Sequence, residues 1–286
     1  MIEQFEPYLK NLPVIPEVAA RILSMAEEHA EISFKELERL IMVDPGLTAK
    51  ILKIANSALY ARQREIKSLQ TAITLLGFRN IRRLVLLVTA AKAFARFAAT
   101  RFYQVFWRHS LLSAFFARSI ALRTGRQEAA EECFLGALLH DIGQVALHNA
   151  DADKYRPVLD LLEAGLEPVE ERETALYGVN HREVGAAILE KWNFPDLFTD
   201  LAREHQSLTI TSPHQELIIL VGIADILAES ARVGSLGTRK AELLAGLLPR
   251  SPLKESDLEY YRTRFLADLG QDPLVRESHS LFGILS

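Results

Sequence analysis

The chain has 286 residues, of which 49% are hydrophobic and 24% charged, and its formal net charge is −4. This length can bury a substantial core, and the composition excludes a small disulfide-stapled scaffold, a disordered chain and a collagen-like repeat. The single cysteine, Cys133, cannot form an internal disulfide and lies in an apolar run, so we expect a buried thiol in a reducing compartment.

The sequence contains neither the pattern of a secretion signal nor that of a membrane-spanning segment. The N-terminal sequence MIEQFEPYLKNLPVIPE lacks both the basic and the apolar segment of a secretion signal. The longest apolar runs, at 84–91 and 217–224, are too short to cross a bilayer. We therefore expect a soluble cytoplasmic protein with no membrane partner.

Apolar residues recur with a period near 3.6 along almost the whole chain, and no convincing alternating strand pattern is found, which predicts an all-α protein. In the first half, capping signals predict helices that begin at Ser33, Asp44 and Ser68. Two long helices are predicted at about 79–97 and 101–124, and the loop that contains Thr100 between them is the best candidate for a subdomain boundary.

The second half is also predicted to be helical. After the helix that ends at about 140, a break is predicted at 141–143, because Gly143 allows the chain to turn there. Asn180 and Glu183 form a capping box, and Pro195 starts the next helix. Further helices are predicted at about 214–233, 240–248 and 255–269.

The near-neutral net charge conceals a strong asymmetry. The 62 residues from Ile66 to Gln127 contain 11 Lys or Arg and no Asp or Glu, whereas the remaining residues carry 22 basic and 37 acidic groups. Arginines with interleaved aromatic residues suit a nucleotide or nucleic-acid surface. They also suit a solvated face over an aromatic core, or pairing with acidic segments such as 167–173. A pI near 6.1 argues against a dedicated nucleic-acid-binding protein.

His140 and Asp141 are the sharpest chemical feature of the sequence. Three further histidines occur on neighbouring predicted helices, namely His109, His181 and His205. An aspartate, Asp225, interrupts an apolar stripe. Imidazole and carboxylate together suit Fe, Mn, Zn or Mg, and such an ion would favour phosphate-ester hydrolysis. The alternative is that the histidines bond between packed helices while Asp225 pairs with an arginine or a helix N-terminus.

Five segments, together with the H…HD…D order of His109, His140-Asp141 and Asp225, resemble the HDOD domain, a relative of the HD and HD-GYP families. The segments are LPVIPEV (12–18), VDPGLTAKILKIANSALY (43–60), TAITLLGFRNIRRLVL (71–86), HDIG (140–143) and NHREVGAAILEKWNFP (180–195). The resemblance covers about residues 12–206. It implies an N-terminal helical subdomain (1–99) packed on an HD-like helical subdomain (100–210), with C-terminal helices (211–286) that complete or extend the HD-like core.

The resemblance also implies a role in bacterial signal transduction, in a family regarded as lacking demonstrated hydrolase activity. HD-GYP relatives that hydrolyse cyclic-di-GMP have Lys where this chain has Gln144, and a His-His pair where it has His205-Gln206; the GYP loop is absent.

The first hypothesis is a regulatory protein that binds signalling proteins or a small, phosphate-bearing ligand through a degenerate HD-like pocket. The second is a metal-dependent phosphohydrolase of a nucleotide or cyclic nucleotide. Asp196 and Asp200 are alternatives to Asp225 as the last ligand.

Overall fold

Helices account for the regular secondary structure, and the all-α prediction is confirmed over the part of the chain that the structure describes. The computed structural model describes residues 5–9, 34–42, 44–56, 66–77, 80–81, 84–85, 87–89, 100–166, 168–271 and 275. No strand is formed within these ranges. Within them, no helix combines the length and the hydropathy needed to span a bilayer.

In chain order, the described helices are α1 (Glu6–Leu9), α2 (Phe34–Met42), α3 (Pro45–Ala55), α4 (Leu69–Leu76), α5 (Arg101–Arg123), α6 (Ala130–Leu139), α7 (Ile142–Ala150), α8 (Ala152–Ala164), α9 (Val169–Tyr177), α10 (His181–Lys191), α11 (Asp196–Glu204), α12 (Gln215–Val233), α13 (Thr238–Leu247), α14 (Glu255–Thr263) and α15 (Phe265–Gln271). A short 3₁₀ helix, Leu248–Arg250, follows α13.

Several sequence features lie outside the described residues. They include the predicted cap at Ser33, the segments 12–18 and 57–60, and most of the helix predicted at 79–97. The basic residues of that helix are therefore also outside the description, namely Arg79, Arg82, Arg83, Lys92 and Arg96.

The chain divides into two compact units, one made of Met1–Leu12 and Arg101–Leu266, the other of Pro13–Thr100 and Ala267–Ser286. In the second unit, α2 packs against α3 and α4. Ser68 caps α4 as predicted, because its side chain accepts a hydrogen bond from the Thr71 amide. The Asn56 side chain closes the end of α3, since it bonds the Leu52 carbonyl and also both the amide and the carbonyl of Ile66.

In the first unit, α5 packs against α6 and α12, and α10 packs against α7 and α11. The predicted capping box is formed at the start of α10, where Asn180 accepts from the Glu183 amide and Glu183 accepts from the Asn180 amide. This cap fixes the first residue of α10, His181, at the centre of the unit. The core around α5 is aromatic, and its fully buried side chains include Phe102, Tyr103 and Trp107.

The break predicted after His140 is confirmed, but the explanation through Gly143 is wrong. The helix changes direction at Asp141, whose backbone has φ −100° and ψ 14°, and Gly143 lies inside α7. Gly143 is required for another reason. A Cβ there would overlap the carbonyl oxygen of His181 and lie 2.7 Å from the Gly185 amide nitrogen, so only glycine lets α7 meet α10 at this distance.

Candidate metal centre

The structure brings all six predicted site residues together in the first unit. His109 lies in the middle of α5, His140 and Asp141 join α6 to α7, and His181 opens α10. The other two are His205, which follows α11, and Asp225, in the middle of α12. Five helices or helix ends therefore converge on one point, although their sequence separation gives no local reason for it.

The carboxylate of Asp141 lies at the centre of this cluster, and its two oxygens face different histidines. Oδ2 is 3.3 Å from Nε2 of His140 and 3.7 Å from Nε2 of His109. Oδ1 is 3.3 Å from Nε2 of His181 and 3.6 Å from Nε2 of His205. One carboxylate is thus shared between two pairs of imidazoles.

Asp225 supplies the second carboxylate, and its side chain is completely buried. Its Oδ1 is 2.9 Å from Nε2 of His109 and 3.6 Å from Nε2 of His140. Its Oδ2 accepts a hydrogen bond from Gln206 at 3.1 Å and lies 3.6 Å from Nζ of Lys240. One oxygen therefore faces the histidines while the other is neutralised from behind.

The two alternative aspartates lie elsewhere in the first unit. Asp200 accepts a hydrogen bond from Ser212 at 2.7 Å, and it lines a separate cavity with Asp196. Neither aspartate forms, with the histidines, a set of residues whose ligand atoms lie close enough together to hold one metal ion. Among the described residues, two such sets are formed: His109, His140 and Asp225, and His140, Asp141 and His205.

Two of the histidines are fixed by backbone carbonyls. Nδ1 of His140 lies 2.6 Å from the carbonyl oxygen of Ala137, and Nδ1 of His205 lies 3.1 Å from those of Leu201 and Ala202. A carbonyl only accepts, so Nδ1 carries the proton and, in a neutral imidazole, Nε2 carries the lone pair. Nε2 of both rings faces the interior of the cluster, where a bound metal ion would take the place of any proton on it.

The atoms that face that interior are buried and have no hydrogen-bond partner. They are Nε2 of His140, His181 and His205, and Oδ1 of Asp141. Oδ1 of Asp225 faces the same space, beside Nε2 of His109. Buried polar atoms are nearly always paired in folded proteins, and these inward-facing nitrogen and oxygen atoms are ones that could hold a cation. The donor set of imidazole nitrogens and carboxylate oxygens fits Zn, Fe or Mn.

The electrostatics of the centre also favour added positive charge. Burial alone would lower the pKa of His140 and of His181, but the nearby carboxylates outweigh it and raise these pKa values to about 10 and about 9. Burial would raise the pKa of Asp141, yet His140 and His181 hold it below its usual range. Burial and the His140 charge lower the pKa of His205 to about 3.

Residues that the sequence analysis did not single out for this role surround the cluster. Gln144 donates to Asp141 Oδ2 at 2.9 Å, and Lys240 forms an ion pair with Glu229 beside Asp225. Glu173 accepts from Nδ1 of His181 at 2.6 Å. Glu173 and Lys240 gave no signal in the sequence, because their contacts join helices that are distant in the chain.

A cavity of about 50 Å³ ends on the cluster. His109, Asp141 and His181 lie at its inner end, and apolar side chains such as Leu161 and Leu166 line its wall. A cavity needs roughly 10–15 Å³ to admit one water, so this space holds a few waters or an ion of similar size.

Four arginines in the described part of the basic stretch pair with acidic residues of their own unit. These pairs are Arg101 with Glu163 and Asp160, Arg118 with Glu131, Arg123 with Asp257, and Arg126 with Glu216. Its aromatic residues fill the core. Of the interpretations that the sequence left open, charge pairing within the protein therefore accounts for these four arginines.

The chain is similar to several known proteins. A curated protein of Treponema pallidum (strain Nichols), named only as uncharacterized, is 24% identical over 215 residues. The match covers 74% of this chain but 42% of that protein, so the chain spans less than half of its relative's length.

Three solved structures share the fold. An HDOD domain protein of unknown function from Geobacter sulfurreducens has a TM-score of 0.72 at 23% identity, covering 98% of this chain and 95% of its own. A protein from Shewanella amazonensis SB2B, proposed by its name to be a phosphohydrolase, has a TM-score of 0.73 at 20% identity, covering 98% of each chain. A proposed signal transduction protein from Marinobacter aquaeolei VT8 has a TM-score of 0.71 at 19% identity, covering 98% of this chain and 65% of its own.

At these identities the structural likeness shows the shared fold alone. The family itself is shown by the match of the HDOD domain model to residues 12–208, more than two thirds of the sequence. The chain therefore belongs to the HDOD domain family.

Proposed function

We propose that this protein is a regulatory signal-transduction protein of the HDOD type whose pocket binds divalent metal ions. The observation that carries the proposal is the set of buried, unpaired nitrogen and oxygen atoms that converge between α5, α7, α10, α11 and α12. Leaving such atoms unpaired costs on the order of 1–3 kcal/mol each, so a centre that stayed empty would strongly destabilise the fold.

The ligands fall into two sets around the Asp141 carboxylate. We call the first half-site His109, His140, Asp225 and Oδ2 of Asp141, and the second half-site His181, His205 and Oδ1 of Asp141. The first offers two imidazoles and two carboxylates, and the second offers two imidazoles and one carboxylate. We therefore expect the first half-site to bind a divalent ion more tightly.

When bound, such an ion acts as a Lewis acid that polarises a phosphoryl oxygen or lowers the pKa of a water. The chain's own residues orient the carboxylates that would hold the ion and adjust their charge. Gln144 donates to Oδ2 of Asp141, and Gln206 donates to Oδ2 of Asp225, the oxygen that faces away from the histidines, so both carboxylates are held in a fixed orientation. Lys240 places a buried ammonium beside Asp225, where it offsets one of the two carboxylate charges.

The size of the cavity favours regulation over nucleotide hydrolysis. A volume of about 50 Å³ is far below the roughly 300–1,000 Å³ of pockets that enclose cofactor-sized ligands. The cavity suits a metal ion with a few waters or a phosphate-sized anion. We propose that this small ligand sets the state of the protein, and that other signalling proteins read that state.

The second candidate function is a metal-dependent phosphohydrolase, and one observation favours it. Each position of the H…HD…D pattern is filled, and the side chains converge as metal ligands would. A hydrolase would need the cavity to widen before a phosphodiester could reach the metal ligands.

Metal content and hydrolysis, measured on the same preparations, separate the two functions. Wild type, Asp141→Asn and the exposed control Asp153→Asn would be loaded with Mn²⁺ or Fe²⁺, and each assayed with bis(p-nitrophenyl) phosphate. The proposal expects bound metal in wild type and the control, little metal in Asp141→Asn, and no hydrolysis above free metal. Turnover that is lost in Asp141→Asn would establish the hydrolase instead. A wild type without bound metal would refute both.

A further inference from the structure

A buried chain of hydrogen bonds stands behind the second half-site. The hydroxyl of Tyr155, on α8, donates to Oε1 of Glu173, on α9, at 2.7 Å. Oε2 of Glu173 accepts from the backbone amide of His181 at 2.8 Å and lies 2.6 Å from its Nδ1. Tyr155 and Glu173 are completely buried, and His181 is 2% exposed.

This arrangement differs from that of the other anchored histidines. Nδ1 of His140 and of His205 meets neutral backbone carbonyls, whereas Nδ1 of His181 meets a carboxylate. A carboxylate draws the Nδ1 proton more strongly than a carbonyl does, which increases the electron density that Nε2 can donate. Nε2 of His181 faces Oδ1 of Asp141 at 3.3 Å and has no hydrogen-bond partner.

Joining three helices through a buried carboxylate carries a cost in the free energy of folding. An ionised carboxyl group removed from water is destabilising unless it is paired and hydrogen-bonded. A neutral side chain could bond Tyr155 and the His181 amide without that cost. What only a charged group supplies is the strengthened, oriented imidazole.

We propose that Glu173, held in place by Tyr155, is a positioning residue that aims His181 at the second half-site and strengthens its Nε2 as a metal ligand. This inference rests on the proposed function, since it needs a metal ion at that half-site. Groups that orient a metal-ligating histidine typically contribute 10–100-fold in metal affinity. Glu173→Gln should therefore weaken metal binding at the second half-site by about that factor, while the first half-site changes by less than about threefold.

The alternative is that the chain of hydrogen bonds only fastens α8, α9 and α10 together. A fastening role predicts a lower unfolding temperature and equal loss at both half-sites. A positioning role predicts a loss confined to the second half-site, and dependent on His181. The two roles are therefore distinguished by where metal is lost and by coupling between Glu173 and His181.

The test is a titration of the full chain, freed of metal by a chelator, with Co²⁺, followed by calorimetry and by visible absorption. The variants are Glu173→Gln, Tyr155→Phe, His181→Gln and the double variant of Glu173 and His181. Glu190→Gln, exposed on the same helix as His181, is the matched control. Thermal unfolding of each metal-free protein would be measured alongside.

We expect Glu173→Gln to weaken the second Co²⁺ site roughly 10–100-fold, with its absorption band appearing only at correspondingly higher Co²⁺, Tyr155→Phe to weaken it a few-fold, and Glu190→Gln to change nothing. In the His181→Gln background, Glu173→Gln should have no further effect on affinity, because coupled residues are not additive. Equal weakening of both sites, or an undiminished effect in the absence of His181, would overturn the inference. If Glu173→Gln does not fold, Tyr155→Phe decides by the same criteria. Wild type that binds no Co²⁺ would refute the proposed function, and this inference with it.

Discussion

Gly143 lies directly against the backbone of His181, so that any Cβ at position 143 would overlap the His181 carbonyl oxygen. The same relationship recurs across the cluster, where a Cβ at Gly222 would overlap the carbonyl oxygen of His205. Each glycine therefore lets a carboxylate-bearing segment approach a histidine-bearing one. Close backbone contact at these two points brings Asp141 and Asp225 within reach of the histidines.

We predict that Gly143→Ala disrupts the metal centre as well as the packing. The added methyl meets backbone atoms, which cannot rotate away, so α7 and α10 must separate; overpacking of this kind costs roughly 1–3 kcal/mol. The temperature of thermal unfolding and the metal content would both fall. Gly270→Ala is the control, because a Cβ there meets nothing within 4 Å and alanine favours the helix. A Gly143→Ala protein with wild-type metal content would contradict this account.

We predict that Asp225→Asn abolishes tight binding at the first half-site. The variant keeps the shape of the side chain but removes the charge that faces His109 and His140. Loss of a direct ligand should exceed the 10–100-fold effect of a residue that only orients one. Calorimetric titration with Zn²⁺ measures this. Asp200→Asn, at a half-buried aspartate bonded to Ser212, should bind as wild type does, and a loss equal to that of Asp225→Asn would rule out the assignment.

We predict that Lys240→Met destabilises the metal-free protein more than the metal-bound protein. The ammonium of Lys240 lies between the buried carboxylates of Asp225 and Glu229, and removing one partner of a buried pair costs roughly 3–5 kcal/mol. A bound cation should offset part of that loss for Asp225. Thermal unfolding with and without Zn²⁺ tests this, with the exposed Lys191→Met as control. An equal loss of unfolding temperature with and without Zn²⁺ would contradict this prediction.

We predict that Cys133 does not react with thiol reagents at pH 8 in the folded protein. Burial raises the pKa of the Cys133 thiol, with Glu132 adding to the effect, and the attacking species is the thiolate. Because the pKa is raised, pH 8 lies on the protonated side and the thiolate is scarce. Iodoacetamide labelling, followed by mass, should be absent in buffer and complete in guanidinium chloride. Labelling of the folded protein at the rate of free cysteine would show that the thiol is accessible.

Local signals in the sequence predicted most of the described helices. The Asn180–Glu183 capping box and the Ser68 cap depend on residues within three positions of each other, so the sequence contains what decides them. The HD pair was predictable in the same way, since it is a local motif.

Contacts between distant segments were not predictable. Asp225 was the predicted ligand because it interrupts an apolar stripe, but only the packing of α12 against α5 separates it from the alternatives Asp196 and Asp200. Glu173 was interpreted only as part of an acidic segment, and the family match ends at residue 208, before Lys240. Each of these side chains acquires its role from a helix far along the chain.

The most direct test of the central claim is anomalous diffraction from crystals of the full chain soaked in Mn²⁺. We predict an anomalous difference peak bounded by His109, His140, Asp141 and Asp225, and no comparable peak in crystals of Asp141→Asn. Wild-type crystals without a peak among these four side chains, at millimolar Mn²⁺ and neutral pH, would contradict the claim that this cluster is a metal centre.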